Sequence, residues 1–166
     1  TLERDQRCPF GEHARHIDTE LNRPALVVET ARRLSRLAPD VLKMEFPIDA
    51  AVSTDQRAWQ AACEALSEAC SVPWVLLSAG VKFEVFEAQT RVACQAGASG
   101  FLAGRAIWRE AIAMSEVDRA RFLETTAVDR VRRLVDAAMP GARPWTAFYT
   151  PIGAAQDWFA GYPPEA

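Results

Sequence analysis

Short apolar runs alternate with segments of helical periodicity along most of this chain. Runs bounded by Pro, Asp or Gly predict buried β-strands, and they occupy residues 41–46, 74–78 and 100–104. Apolar residues that recur every three or four positions predict amphipathic helices, and they occupy residues 25–37, 83–96, 105–113 and 116–139. A further helix between the first two strands would be capped by Ser53 or Thr54 and ended by Pro73.

The alternation of helices and strands predicts an α/β fold with parallel strands and crossover helices. Because each strand is a short apolar run, we expect it to be covered on both faces. The spacing of roughly 30 residues per unit fits a doubly wound sheet or a (β/α)8 barrel. Residues 24–139 form this domain, after a loop or poorly ordered lead-in (1–23) and before an extended tail (140–166).

Composition narrows the classes of function. The 166 residues carry a formal net charge of −3, which gives no basic excess for nucleic acid or an anionic membrane. No apolar stretch reaches the roughly 20 residues of a membrane span. The cysteines form no C-x-x-C pair, which predicts free thiols in a reducing cytoplasm and no metal site. They are Cys8, Cys63, Cys70 and Cys94, and His13 and His16 are the only histidines.

Lysine is rare in this chain, since seventeen of the nineteen basic residues are arginine and only Lys43 and Lys82 are lysine. Lys43 lies in the first predicted strand, where alternation puts it on the same side as Val41 and Glu45. Arginine cannot replace an amine that attacks a carbonyl to form a Schiff base, and that reaction favours an amine shielded from water. Two interpretations stay open: a structural Lys43–Glu45 ion pair, or a catalytic amine beside a carboxylate.

Glycine follows the second and third predicted strands at equivalent positions. Ser78-Ala79-Gly80 ends one strand and Ala103-Gly104-Arg105 ends the other. Barrel loops at this edge often bind phosphate, and glycine lets backbone N–H groups approach an anion. Ser78 adds a hydroxyl, and Arg105 adds a planar guanidinium that matches phosphate oxygens. Ordinary turn glycines and a surface arginine are the alternative interpretation of each position taken alone.

These residues lie in three motifs, DVLKMEFP (40–47), LSAGV (77–81) and GASGFLAGRAIW (97–108), and RPWT follows at 143–146. Together the motifs resemble the tagatose 1,6-bisphosphate aldolase family, whose relatives include the sulfofructose phosphate aldolases. The resemblance covers residues 24–149. It implies a class I, metal-independent aldolase that needs no cofactor and is built on a (β/α)8 TIM barrel.

The resemblance also implies roles for individual residues. Lys43 would be the Schiff-base lysine on the sixth strand of the barrel. Ser78 and Gly80 would end the seventh strand, and Gly104 and Arg105 the eighth, where they would hold a phosphate of a phosphorylated ketose. The implied reaction is reversible cleavage of that ketose to dihydroxyacetone phosphate and an aldehyde.

Glu45 occupies the acidic position of the lysine motif, so the resemblance makes it a second candidate catalytic residue. The family's earlier strands, including a fifth-strand glutamate implicated in proton transfer, lie before the region that aligns. We therefore expect strands six to eight only, in a fragment, a half-length protein or one piece of a split barrel. Such a chain would self-associate or bind the missing barrel half.

Two other functions compete with the aldolase. One is a non-catalytic phosphosugar-binding or assembly module that lacks the first half of the barrel. The other is a flavodoxin-like, doubly wound domain in which Lys43 is a structural charge. The doubly wound domain predicts an open sheet, a Lys43–Glu45 pair and no cleft above the lysine.

Overall fold

Helices and strands alternate through residues 22–150, which the computed structural model describes together with residues 153 and 157. The elements are α1 (Arg23–Ser35), β1 (Leu42–Met44), α2 (Gln56–Ala69), β2 (Trp74–Leu77), α3 (Phe83–Gln95), β3 (Phe101–Leu102), α4 (Arg105–Trp108), α5 (Glu116–Phe122) and α6 (Val128–Ala138). A 3-10 turn, Arg109–Ala113, extends α4, and a π-helical turn, Leu123–Ala127, joins α5 to α6. The predicted order of elements is confirmed.

Three parallel strands form the sheet in the order β1-β2-β3. Leu42 pairs with Trp74, and Leu76 pairs with Phe101. Parallel strands joined by crossover helices define the α/β class, so that prediction is confirmed. The third strand is shorter than the predicted run, and Leu102 within it is 49% exposed, so its predicted burial is wrong.

One face of the sheet packs against the helices. Leu42, Met44 and Leu76 are all buried in the main apolar cluster, which also includes residues of α1, α2, α3 and α6. On the opposite face, Lys43 and Glu45 are exposed. The prediction that each strand is covered on both faces is therefore wrong for the part of the chain described here. The helices supply one layer, and residues 22–150 contain no second layer that covers the other face.

The start of α2 differs from the sequence prediction. Its cap is Asp55, whose carboxylate accepts a hydrogen bond of 3.0 Å from the backbone N–H of Arg57. The predicted caps Ser53 and Thr54 precede it, and the carbonyl of Ser53 instead accepts the indole N–H of Trp59 at 2.9 Å. A carboxylate at this position both satisfies a free N–H and interacts favourably with the helix dipole.

The two ends of the chain are described only in part. Residues 1–21 of the predicted lead-in lie outside the described residues, as do Cys8, His13 and His16. The predicted extended tail contains a 3-10 turn, Trp145–Ala147, and most of the chain after residue 150 lies outside the described residues. The hydroxyl of Tyr149 donates a 2.8 Å hydrogen bond to the carbonyl of Asp40, so the tail returns to the start of β1.

Three cysteines are buried and free, as predicted: Cys63, Cys70 and Cys94. Burial raises the pKa of Cys63 to about 12 and the pKa values of Cys70 and Cys94 to about 11. These thiols therefore stay protonated at neutral pH and behave as small apolar side chains. Within the described residues, no helix has both the length and the apolar character needed to cross a membrane.

Leu66 of α2 allows a test of the apolar core, because its side chain is completely buried in the main apolar cluster. We expect Leu66→Ala to lower the free energy of unfolding by about 2–5 kcal/mol, since it removes apolar contact and leaves a cavity. Leu37, which is 77% exposed, supplies the matched control. Leu37→Ala should change the unfolding free energy by less than about 0.5 kcal/mol in the same urea titration. Equal losses in the two variants would contradict the assigned core.

Candidate functional site

Lys43 lies at the middle of β1 with its side chain on the open face of the sheet. Its neighbours Leu42 and Met44 are each only 5% exposed, whereas Lys43 is exposed. The alternation of strand side chains explains this difference. The sequence predicted an amine shielded from water, but residues 22–150 leave Lys43 exposed because none of them packs over the open face.

Glu45 binds Arg23 rather than Lys43. The two side chains form an ion pair in which Arg23 Nη2 lies 2.6 Å from Glu45 Oε2. Residues 22–150 contain no ion pair between Lys43 and Glu45, so the structural-pair interpretation is wrong. Arg23 begins α1, and its Nε is buried without a hydrogen-bond partner among the described residues. The pair therefore anchors the start of α1 to the end of β1.

A cavity of about 270 Å³ opens beside Lys43. Lys43 and Glu45 form one wall, and Leu26 and Thr30 of α1 lie on another. The doubly wound alternative predicted an open sheet, which the three described strands form. It also predicted a Lys43–Glu45 pair and no cleft above the lysine, and the Arg23–Glu45 pair and this cavity contradict both expectations. The amine of Lys43, the carboxylate of Glu45 and the guanidinium of Arg23 thus line one small cavity that also has apolar walls.

The turn after β2 has an unusual backbone. Ala79 and Gly80 both have positive φ, 47° and 77°, and the N–H of Val81 closes the turn on the carbonyl of Ser78 at 3.1 Å. Left-handed backbone favours glycine, and a residue with a Cβ adopts it only at a steric cost. Ser78 itself is 8% exposed and lies on the helix-covered side, so its hydroxyl is on the other side of the sheet from Lys43.

Two arginines converge on Gly80. Arg109 donates a hydrogen bond from Nη2 to the Gly80 carbonyl. A Cβ built on Gly80 would lie 2.8 Å from Arg109 Nη2 and 3.3 Å from Arg105 Cζ. The predicted group of Gly80 and Arg105 is therefore brought together by the adjacent ends of β2 and β3, and Arg109 joins it.

Gly104 caps α4 with φ −138° and ψ −104°. A Cβ at this position would meet no heavy atom within 4 Å. Packing among the described residues therefore places no steric demand on Gly104.

The candidate residues occupy neighbouring but distinct spaces. Arg105 and Arg109 line a second cavity of about 270 Å³, which shares no wall with the Lys43 cavity. Between the two lies a third space of about 220 Å³, which borders Arg23 on one side and Val81 on the other. The second and third spaces lie beyond the carboxyl ends of the strands, whereas the Lys43 cavity extends from the middle of β1 to Glu45, just past its carboxyl end.

Arg130 of α6 braces the segment that carries both arginines. Its guanidinium makes two hydrogen bonds to Glu110, of 2.9 and 2.8 Å, and a third of 2.8 Å to the carbonyl of Ile107. It also stacks over Phe83 and Phe122, with its Cζ 5.0 and 5.4 Å from the ring centroids. Bidentate contacts of this kind fix geometry as well as charge.

The bond from Arg130 lowers the pKa of Glu110 from 4.5 to about 2. A depressed carboxyl pKa means that the pair stabilises the fold above about pH 4.5 and loses that contribution as the pH falls towards 2. Glu110→Gln should therefore reduce the acid dependence of stability in this window, measured as urea midpoints at pH 6 and pH 3. Half of the Glu110 side chain is exposed, so solvent screening keeps the effect below about 1 kcal/mol.

Glu68→Gln is the matched control for Glu110, because Glu68 is exposed and forms no ion pair within residues 22–150. It should leave the difference between the two midpoints unchanged. An unchanged difference in Glu110→Gln as well would contradict the assigned ion pair.

Sequence reasoning missed three residues of this site: Arg23, Arg109 and Arg130. Arg109 had a usable signal, because it follows Arg105 by four positions and helical neighbours at that spacing share a face. Arg23 and Arg130 had none, since their partners lie 22 and 20 residues away in sequence. Only the folded chain brings those pairs together.

Comparison with known proteins finds aldolases of similar sequence. The family model for DeoC/LacD family aldolases matches residues 4–110. The tagatose 1,6-diphosphate aldolase of Lactococcus lactis subsp. lactis is 30% identical over 75% of this chain and 43% of its own length. Tagatose 1,6-diphosphate aldolase 1 of Enterococcus faecalis is 32% identical over 68% of this chain and 39% of its own length.

The enzyme of the same name from Streptococcus pyogenes serotype M1 is also 32% identical, over 67% of this chain and 39% of its own length. The chain thus spans about two-fifths of the length of these curated relatives. The family match extends over more than half of the chain, which contains the lysine motif and both glycine-ended strands. The chain therefore belongs to the DeoC/LacD family of aldolases.

Proposed function

We propose that this chain is the part of a class I ketose-phosphate aldolase that contains strands six to eight of a (β/α)8 barrel, within residues 24–139. The parallel strands follow one another in sequential order, as in a barrel. The open face that carries Lys43 corresponds to the interior of such a barrel. Its cover would come from the remaining strands on another polypeptide segment or from a second copy of the chain, in the cytoplasm.

Lys43 is the proposed nucleophile. Its unprotonated amine attacks the ketone carbon of the phosphorylated ketose, and uptake of one proton with loss of one water leaves an iminium ion. A base removes the proton of the hydroxyl next to the bond that breaks, and the electron pair of the carbon–carbon bond moves into the iminium. An aldehyde leaves, the enamine takes up a proton at carbon, and water releases dihydroxyacetone phosphate and the free amine. The substrate is tagatose 1,6-bisphosphate-like in this proposal.

Glu45 is the carboxylate nearest to Lys43 along the strand, and we place it in the catalytic site. Its 2.6 Å contact with Arg23 holds the carboxylate at the rim of the Lys43 cavity. This position allows Glu45 to orient a substrate hydroxyl or the lysine amine. Arg23 would also add positive charge beside the ketose.

The phosphate end of the ketose belongs at the Gly80 turn. Gly80 and Gly104 leave room for close approach of an anion, and Arg105 supplies a guanidinium for its oxygens. Ser78 holds the turn through its carbonyl, which accepts the Val81 N–H. Such contacts locate the substrate and contribute orientation rather than bond chemistry.

One observation carries the proposal: the lysine of the family motif lines a cavity that extends to the end of β1, near the strand ends where Arg105 and Arg109 gather without an ion-pair partner among residues 22–150. The test is borohydride reduction of the full-length protein in the presence of dihydroxyacetone phosphate. Borohydride converts an imine into a stable secondary amine, and the added mass should map to the peptide that contains Lys43. Absence of any added mass on Lys43 would exclude the Schiff-base mechanism.

A non-catalytic phosphosugar-binding module is the second candidate. The exposure of Lys43 favours it, because residues 22–150 supply the arginine-lined cavity but no cover for the amine. This function predicts binding of phosphate esters with equal affinity in the parent protein and in Lys43→Met, and no turnover in either. Covalent capture at Lys43 would exclude it.

A further inference from the structure

Arg109 contacts the Gly80 turn but takes no part in the function proposed so far. Its guanidinium and that of Arg105 both lie within 3.3 Å of the position that a Gly80 Cβ would occupy. Two like charges at one point repel each other, so the arrangement is unfavourable unless a negative group lies between or beside them.

Nearby carboxylates supply only part of that negative charge, because Glu110 interacts electrostatically with Arg109 but forms no ion pair with it. Glu110 is engaged by two hydrogen bonds from Arg130. Glu84 borders the same cavity, but among residues 22–150 neither Arg105 nor Arg109 forms an ion pair with any carboxylate. The positive charge at Gly80 is therefore available to a ligand.

Arg109 is also held in advance of binding. The Gly80 carbonyl accepts one of its N–H groups, and the other four of its five N–H groups have no hydrogen-bond partner among residues 22–150. Arg130 also holds the backbone carbonyl of Ile107 and the side-chain carboxylate of Glu110, on either side of Arg109 in sequence. A donor positioned before binding loses little conformational entropy when the ligand arrives.

We infer that Arg109 is a second phosphate-binding residue that forms, with Arg105, a two-arginine clamp at the Gly80 turn. This inference rests on the proposed function for its substrate, the phosphate of a ketose. Two guanidinium groups match a phosphate monoester, which carries nearly two negative charges at neutral pH. The clamp therefore selects a phosphate ester over the singly charged sulfonate of a sulfosugar.

The primary test is calorimetric titration of the full-length protein with inorganic phosphate at low ionic strength. We expect Arg109→Gln to weaken phosphate binding about tenfold or more, because charge-assisted hydrogen bonds are lost. Arg91, an exposed arginine on α3 without an ion pair among the described residues, provides the control. Arg91→Gln removes the same charge and should change the affinity less than about twofold, as expected for a screened surface charge. Equal affinities in the parent protein and Arg109→Gln would overturn the inference.

A second measurement separates binding from a purely structural role of Arg109. Borohydride capture is compared for dihydroxyacetone phosphate and dihydroxyacetone, which differ only in the phosphate. Arg109→Gln should slow capture of the phosphorylated ligand alone, and Arg109→Lys should recover part of that loss because it restores the charge. Equal slowing of both ligands would assign Arg109 a structural role and overturn the inference.

Failure of the clamp and failure of the aldolase mechanism give different results. Inorganic phosphate does not react with Lys43, so Lys43→Met should bind phosphate as tightly as the parent protein. Capture at Lys43 together with unaltered phosphate affinity in Arg109→Gln would exclude the two-arginine clamp and support the aldolase mechanism. If phosphate binding depends on Arg109 but no ligand is captured at Lys43, the aldolase mechanism is excluded and the clamp is supported.

Discussion

Lys43→Met is expected to abolish borohydride capture of dihydroxyacetone phosphate and to reduce kcat/KM for ketose cleavage at least about a thousandfold. Loss of a covalent nucleophile removes the reaction path itself, and effects on the order of three decades or more are typical of such residues. Capture is measured by mass spectrometry of the intact protein and then by peptide mapping. The map is simple to interpret because the chain contains only two lysines.

Two further variants separate amine chemistry from positive charge. Lys43→Arg keeps the charge but cannot form a Schiff base, so it should be as inactive as Lys43→Met. Lys82→Met removes the other lysine and should still be captured at Lys43. Recovery of cleavage in Lys43→Arg would show that position 43 acts as a charge, and the proposed mechanism would then be wrong.

Gly80→Ala is expected to weaken phosphate binding about tenfold or more and to lower the free energy of unfolding by about 1–2 kcal/mol. The stability loss follows from φ of 77°, which a residue with a Cβ adopts at a cost. The binding loss has a separate cause. The new Cβ would lie 2.8 Å from Arg109 Nη2, so the flexible guanidinium must leave its place beside the Gly80 carbonyl.

Gly100→Ala is the control that isolates the second effect. Gly100 also has positive φ, 150°, but a Cβ there would meet no atom within 4 Å. This variant should lose stability and keep its phosphate affinity, measured by the same calorimetric titration. Similar binding losses in both glycine variants would mean that backbone strain, and not displacement of the arginines, governs phosphate affinity.

The chain pattern predicted the elements well because each depends on neighbours in sequence. Helix α3 was expected at 83–96 and lies at Phe83–Gln95, and β2 was expected at 74–78 and lies at Trp74–Leu77. The cap of α2 was placed one or two residues early, since Ser53, Thr54 and Asp55 are all good capping residues. Choosing among them depends on how the loop before α2 packs, which local pattern does not specify.

The candidate site was predictable only in part. The scarcity of lysine singled out Lys43, and the alternation of side chains along the strand put Lys43 and Glu45 on the same side of β1. Both residues line one cavity. One of the two interpretations of this placement paired them with each other, although Glu45 in fact binds Arg23. The sequence also grouped Gly80 with Arg105 correctly, because both follow adjacent strands, but it gave Arg109 no role.

Periodicity, composition and motifs were enough to predict the α/β class, the order of the elements, the buried thiols and the family. The pairing of charged groups becomes visible only in the folded chain: Arg23 with Glu45, Arg130 with Glu110, and two arginines at Gly80. Such groups are far apart in sequence, and the distances between them are set by how the helices pack on the sheet. The exposure of one face of β1 also follows from the tertiary structure, because the burial of a strand depends on which helices or strands pack against each of its faces.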